Sequence, residues 1–398
     1  MKRLLLAGTA TLALSAAQAA EIRVGSSAGI TGPIAEIIAD VMQGRNMAAK
    51  HVNEQGGLLD GDTMVMVTGD GACDPKAGVD SGTKLVNVEQ VVAIVGGSCS
   101  GETLAMVQSV TIPAGVVAIS DSATSPAITE LEDRDLVFRV APSDAYQGVA
   151  LAQYVLQAGV KSVALTYAND DYNAGLGKVF EEAFQEMGGT IALAQVHEPN
   201  KASYRAEVAT LGGANADALV LFAYYGSSGI TITRNALETG AFSRFFGADG
   251  MVNDELIKQI GAENLKDAVY TTAGSDDTTA AWKAYTELAA AAGLRNPAGP
   301  FVANGYDATF LVALAIEKAG SADRSKISAA LREVANAPGE TILPGEWEKA
   351  KSLIAAGTDI NYQGASGEIE FDEAGDVAGL YQLNIPQEDG TFKVVLLK

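Results

Sequence analysis

The sequence predicts an α/β protein of two doubly wound lobes, each built on a parallel-type sheet with helices on both faces. Short, almost wholly apolar runs alternate with amphipathic stretches, which is the pattern of β-α-β units whose strands are buried on both sides. The alternation runs to about residue 120 and begins afresh after about residue 143. A chain of 398 residues also exceeds what a single hydrophobic core usually holds.

The first series of units opens with a strand, a glycine-containing turn and a long amphipathic helix. In that helix Ile34, Ile38 and Val41 fall on one face of a 3.6-residue period, and Gly56-Gly57 marks its end. The predicted strands are 22–26, 64–68, 91–95 and 116–120, and the predicted helices are 34–53, 75–89 and a helix that begins at 103.

The second series repeats this arrangement with equally apolar strands. Its clearest strand runs from Ala218 to Phe222, without a polar residue. Two such series in succession indicate two lobes. The predicted strands are 162–167, 190–196, 218–222 and 245–246, and the predicted helices are 174–187, 203–211 and 229–239.

The first nineteen residues have the layout of a secretory signal peptide. Lys2 and Arg3 form a basic start, an apolar stretch runs from Leu4 to Leu14, and the small-residue site Ala17-Gln18-Ala19 follows. The apolar stretch is too short to span a bilayer. We therefore expect cleavage near Ala19 and a mature chain that is soluble outside the cytoplasm.

The chain is strongly acidic, and its net charge of −22 becomes −24 once Lys2 and Arg3 leave with the signal peptide. Such a surface repels nucleic-acid phosphates and anionic lipids, which excludes both as expected partners. The histidines, His51 and His197, lie far apart in the sequence. We therefore expect no catalytic residue, no metal and no cofactor.

Cys73 and Cys99 are the two cysteines, and export would permit a disulfide between them. A second interpretation is an exported cysteine hydrolase. Gly97 to Gly101 follows an apolar strand and precedes a helix, so Cys99 occupies the place of a nucleophile elbow. That enzyme would need a histidine base, for which the chain offers only His51 and His197.

Ligands of doubly wound sheets bind beyond the carboxyl ends of the strands, so the loops at those ends predict the site. Hydroxyls and glycines dominate these loops in the first half of the chain, and tyrosines and acids dominate them in the second. This asymmetry suits a zwitterion, whose carboxylate and ammonium need opposite partners. The loops are 96–101, 121–126, 168–172, 223–226 and 247–250.

Four segments together resemble the branched-chain amino acid (leucine/isoleucine/valine) binding proteins of ABC importers. The resemblance covers nearly the whole mature chain, and it rests on the order and spacing of these segments. It implies a type I periplasmic binding protein, whose lobes are joined by a three-strand hinge with crossovers near residues 141, 271 and 361. The segments are Gly69–Lys76, Ser98–Ser100, Ser122–Thr124 and Arg139–Asp144.

The resemblance also implies domain bounds and a way of working. The protein would be a periplasmic monomer that captures an amino acid or a related small carboxylate by hinge closure and passes it to an ABC permease of the inner membrane. A soluble receptor that feeds a signalling protein would use the same site. The implied bounds are 1–19 for the signal peptide, 20–141 with 272–360 for lobe 1, and 142–271 with 361–398 for lobe 2.

Carried over by position, seven residues resemble the family's ligand contacts. Ser100 is similar to the hydroxyl donor to the ligand carboxylate. Ser122, Ala123 and Thr124 match the segment that contacts the carboxylate and the amino group. Tyr172 and Tyr225 match aromatic walls, and Asp249 matches the acidic partner of the ammonium.

Three departures from the family pattern bear on which ligand is bound. The region 34–38 carries isoleucines where the family often has an aromatic residue. Asp249 stands where Glu is common, so its side chain is one methylene shorter. The segment 338–363, which contains Trp347, lengthens the approach to the third crossover.

Overall fold

The computed structural model describes residues 19–397, so the predicted signal peptide lies almost wholly outside the described residues. The first of two large sheets has five strands, all parallel, in the order β2-β1-β3-β4-β5. We call this sheet and the segments packed on it the first lobe. The strands are β1 (Glu21–Ala28), β2 (Thr63–Asp70), β3 (Ala93–Val95), β4 (Val117–Ser120) and β5 (Val137–Arg139).

The second sheet has seven strands and forms the second lobe. Its strand order is β14-β13-β10-β9-β8-β6-β7, parallel except for the last hairpin, which adds two antiparallel strands at one side. A separate parallel pair, β11 with β12, lies in sequence between β10 and β13 and packs in the core of the first lobe. The strands are β6 (Ser162–Ala168), β7 (Thr190–His197), β8 (Ala218–Phe222), β9 (Phe245–Gly247), β10 (Val269–Gly274), β11 (Glu340–Ile342), β12 (Ile360–Tyr362), β13 (Leu380–Pro386) and β14 (Phe392–Leu396).

Helices cover both faces of both sheets, which confirms the predicted doubly wound fold. The segment Tyr225–Gly229 forms a π-helical turn directly before the helix that begins at Ile230. The helices are α1 (Ala35–Glu54), α2 (Pro75–Thr83), α3 (Ser100–Met106), α4 (Ile112–Ala114), α5 (Pro126–Thr129), α6 (Asp144–Gln157), α7 (Asp171–Glu186), α8 (Arg205–Gly212), α9 (Ile230–Thr239), α10 (Asp254–Ile260), α11 (Ala280–Ala292), α12 (Val302–Ala319), α13 (Arg324–Ala335) and α14 (Trp347–Ala355).

The chain passes between the lobes three times. The first passage lies between β5 and α6, near the predicted residue 141, and the second follows β10, a few residues after the predicted 271. The third comes later than the predicted residue 361. Ala365, Phe371 and Val377 still pack in the core of the first lobe, whereas β13 already belongs to the second sheet.

Hydrogen bonds explain why the third passage is late. The buried carboxylate of Asp307 on α12 accepts the Tyr362 hydroxyl at 2.7 Å and the Ala365 and Ser366 N–H groups at 3.0 and 2.7 Å. These bonds hold the chain after β12 against the first lobe. Trp347 is also fully buried there and donates its indole N–H to the Gly57 carbonyl at 3.2 Å.

Cys73 and Cys99 form the predicted disulfide, with their Cα atoms 5.2 Å apart. The bond joins the turn before α2 to the residue that precedes α3. A crosslink over a separation of 26 residues removes chain entropy from the unfolded state worth about 3.5 kcal/mol. The bond tethers Cys99, the residue directly before Ser100, to the turn before α2.

Candidate ligand-binding site

A small cavity lies between the lobes, beyond the carboxyl ends of strands from both sheets. The cavity is lined by Ile34, Ile37, Ile38, Ser98, Ser100, Ser122, Tyr172, Tyr224, Asp249, Gly250 and Phe301. Four of the seven predicted contact residues are among them.

The lobes touch around this cavity, so the arrangement is closed. At Gly226 of the second lobe, a Cβ atom would lie 2.4 Å from the Pro33 carbonyl oxygen of the first. The side chains of Ile34 and Ile38 share one apolar cluster with Ile230 of the second lobe. Both lobes therefore enclose the cavity, and glycine at position 226 allows the backbones to approach.

Three serines form the hydroxyl-lined wall of the cavity. Ser100 opens α3, and its Oγ accepts the Ser125 N–H at 3.1 Å. The Ser122 hydroxyl lies 3.1 Å from the Ser98 carbonyl oxygen and 3.0 Å from Asp121 Oδ1, and its single O–H donates to these acceptors. Ser98 extends the predicted set, because it precedes the disulfide cysteine and also faces the cavity. This wall offers hydroxyl groups to an anionic or polar ligand group.

Ala123 and Thr124 do not line the cavity, although both were predicted as contacts. Ala123 packs in the core on one face of the first sheet. The Thr124 hydroxyl donates to Asp144 Oδ2 at 2.8 Å, and the Asp144 N–H donates to the Thr124 carbonyl. Since a hydroxyl has a single O–H, Thr124 retains only acceptor capacity in this arrangement.

Two stacked tyrosines form the aromatic wall. The Tyr172 and Tyr224 ring centroids are 5.2 Å apart with an interplanar angle of 25°, and both rings line the cavity. Tyr225, the predicted residue, instead lies at the seam between the lobes, where Glu36 faces it. Tyr224 has an extended backbone, so its side chain and that of Tyr225 leave the chain in different directions.

Asp249 follows β9 and contributes a buried carboxylate to the cavity. Burial raises the pKa of this carboxyl to about 6, although hydrogen bonds from Gln147 and Tyr172 favour the ionised form. The Gln147 amide donates to Asp249 Oδ1 at 2.9 Å. The sequence does not predict the role of Gln147, because none of the residues next to it in the chain indicates that it contacts Asp249, 102 positions away.

A second buried carboxyl, that of Asp144, lies close enough to Asp249 for the two to interact. Burial, followed by the charge of Asp249, raises the pKa of Asp144 well above its usual value. Its Oδ1 has no hydrogen-bond partner among the described residues. Of these two acids Asp249 lines the cavity, so its carboxylate is the group that meets a ligand cation.

Ile34, Ile37 and Ile38 of the first lobe form the apolar wall, together with Phe301. The sequence showed the isoleucine region as a departure from the family pattern, and in the structure these isoleucines line the cavity. Phe301 was not predicted. It precedes α12 with φ at 62°, a left-handed conformation that is uncommon for a bulky residue and often occurs at functional sites.

Within residues 19–397, no cluster of three or more His, Cys, Asp or Glu side chains is arranged to hold a metal ion. No helix in the same part of the chain combines the length and the apolar character needed to cross a membrane.

Comparisons with known proteins extend over both lobes. The family model of the receptor family ligand binding region matches residues 40–385. Leu/Ile/Val-binding protein homolog 3 of Brucella melitensis is 30% identical over 317 residues, which cover 79% of this chain and 84% of that relative. A chemotactic signal transduction system substrate-binding protein of Halobacterium salinarum is 27% identical over 365 residues, or 89% of this chain and 84% of the relative.

A solved structure shows the same architecture. The crystal structure of a leucine binding protein from Thermotoga maritima matches with a TM-score of 0.79 at 25% sequence identity. The match covers 95% of this chain and 98% of that one. Both sheets and the connections between them therefore have counterparts in a protein of known structure.

Proposed function

Because this chain belongs to the family described as the receptor family ligand binding region, and within it to the branched-chain amino acid periplasmic binding proteins, we propose that it captures an apolar amino acid for an ABC importer. The observation that carries this proposal is the division of one closed cavity into three chemically different walls. Hydroxyls form the first wall, a buried carboxylate with stacked tyrosines the second, and isoleucines with a phenylalanine the third.

Each wall fits one part of an amino acid. The Ser100 hydroxyl accepts the Ser125 N–H and keeps its own O–H, which donates to the α-carboxylate. Asp249 neutralises the α-ammonium, which would otherwise lose its hydration without compensation, and the Tyr172 ring offers a face for the same cation. The isoleucine wall takes the ligand side chain and excludes water from it. A branched aliphatic side chain suits the apolar character of this wall.

The capture mechanism is hinge closure around the ligand. The ligand contacts hydroxyls of the first lobe and the acid of the second at the same time, so it stabilises the closed state over the open one. The closed state is then the form that a membrane permease distinguishes from the empty protein. The protein works by binding, and no covalent step on the ligand is needed.

The proposal includes export and a membrane partner. Residues 1–19 are removed as a signal peptide, and the mature chain acts as a monomer in the periplasm beside an inner-membrane ABC permease. The relative from Halobacterium salinarum favours a second candidate, a receptor that presents the same ligand to a signalling protein. The hydrolase alternative loses support because the sulfur of Cys99 is bonded to Cys73.

A thermal-shift screen over L-amino acids, their deaminated analogues and aromatic acids tests the function. A ligand that binds only the folded state at 100 times its Kd stabilises that state by about 2.7 kcal/mol. We expect the largest increase in melting temperature with leucine, isoleucine or valine. Stabilisation by deaminated acids or aromatic acids alone would contradict the amino-acid assignment.

Replacing Ser100 with Ala is expected to weaken amino acid binding about tenfold, because a hydrogen bond to the charged carboxylate is lost. Titration calorimetry with L-leucine measures the change. The matched control is Ser109→Ala, an exposed serine further along the chain that does not line the cavity. An unchanged affinity in Ser100→Ala would remove Ser100 from the carboxylate site, and chemical denaturation of the variant checks that its fold is intact.

A further inference from the structure

We propose that Gln147 is a positioning residue for the ligand's ammonium: its amide holds one oxygen of the Asp249 carboxylate and leaves the other for the ligand. This inference rests on the proposed function, because it assigns the ammonium to Asp249. It goes further in that Gln147 does not line the cavity and was not among the predicted contacts.

Hydrogen bonds fix the orientation of the Gln147 amide. Gln147 is 1% exposed, and its Nε2 lies 2.9 Å from Asp249 Oδ1 and 3.1 Å from the Thr271 carbonyl oxygen. A carboxylate and a carbonyl only accept hydrogen bonds, so both positions require the NH₂ end of the amide. The two N–H groups of Gln147 therefore bridge the acid and strand β10.

This bridge connects Asp249 to the segments by which the chain enters and leaves the second lobe. Gln147 lies in the first turn of α6, directly after the first passage between the lobes. Thr271 lies in β10, which leads into the second passage. These hydrogen bonds therefore fix the position of the Asp249 carboxylate relative to two of the three connections between the lobes.

A neutral hydrogen-bond donor beside Asp249 stabilises the ionised form of its carboxyl group. The titratable groups that face it from neighbouring elements are Asp144, Tyr172, Tyr224 and Tyr381. None of these supplies a positive charge. Burial raises the pKa of Asp249 to about 6, and the hydrogen bond from Gln147 is the largest of the influences that lower it. Removing the Gln147 donor should therefore raise this pKa further.

The first experiment follows the ¹³C signal of the Asp249 carboxyl against pH in the ligand-free protein. Gln147→Met keeps the length of the side chain and removes its donors, and Gln147→Leu removes them with a shorter apolar side chain should the first variant fold poorly. We expect the midpoint to move to higher pH in both. The control is Gln382→Met, the same chemical change on strand β13 of the same lobe. An unmoved midpoint in the Gln147 variants would overturn the inference.

The second experiment compares L-leucine with its deaminated analogue, 4-methylpentanoate, in the native protein and in Gln147→Met at pH 7. We expect leucine to bind about tenfold more weakly in the variant, and the analogue to bind as before. Equal losses for both ligands indicate a merely structural role and contradict the inference. The titration midpoint of Asp249 could shift in the variant while its affinity for leucine stays unchanged. That result would show that Gln147 acts on Asp249 and would refute the pairing of Asp249 with the ligand ammonium.

Discussion

Replacing Asp249 with Asn is expected to weaken the binding of an apolar L-amino acid by about thirtyfold or more. Truncating one partner of a buried, hydrogen-bonded charge pair costs about 2–5 kcal/mol, because the other charge stays buried without compensation. Asn keeps the shape of the side chain and removes its charge. The deaminated analogue should be tolerated or bind better, since it brings no ammonium. Titration calorimetry of the two ligands on both proteins measures this reversal of preference.

The pH dependence of Asp249 provides a second readout. Because burial raises its pKa to about 6, the carboxylate is charged above that pH and becomes neutral below it. Amino acid affinity of the native protein should therefore fall as the pH drops through about 6, whereas the Asn variant should lack this decrease. Asp267→Asn, an exposed acid of the same lobe, is the control. A native protein that prefers the deaminated analogue would contradict the assignment.

Replacing Gly226 with Leu is expected to prevent closure and to weaken ligand binding by about 150-fold. A Cβ at this position would lie 2.4 Å from the Pro33 carbonyl oxygen of the other lobe. Overpacking of this kind costs up to about 3 kcal/mol, and here it acts on the closed state alone. The apparent affinity then falls with the fraction of molecules that can close. Calorimetry gives the affinity, and small-angle X-ray scattering with ligand gives the shape.

The comparison variant is Gly213→Leu, also in the second lobe. There the nearest atom to an added Cβ is 3.4 Å away, an ordinary contact within the lobe. This variant should bind ligand and close like the native protein. If Gly226→Leu also contracts on adding ligand, the seam at Pro33 is not a requirement for closure.

The fold could be predicted where hydrophobic patterning is regular. Strands such as Ala218–Phe222 are apolar throughout, and helices such as α1 have one apolar face, so the sequence predicts both kinds of element. Helix α12 is buried on nearly all sides and therefore shows no amphipathic period. The late third passage between lobes depends on hydrogen bonds to Asp307, which involve residues more than fifty positions away.

The candidate site was predictable at loop level and less so at residue level. Strand ends located the loops of Ser100, Ser122 and Asp249, because the carboxyl ends of parallel strands meet at one edge. Between Tyr224 and Tyr225 the sequence offers no distinction, and the extended backbone at Tyr224 decides it. Gln147 and Phe301 reach the site from distant parts of the chain, and only the three-dimensional structure brings them there.

The isoleucines at the start of α1 have two neighbours at once, the cavity and the second lobe. A ligand side chain too large for the cavity would press on these isoleucines and hold the lobes apart. Such a compound would occupy the serine wall without producing the form that the importer accepts. It would then act as an antagonist of uptake, so that how tightly a compound binds and whether it is transported become separate properties of this protein.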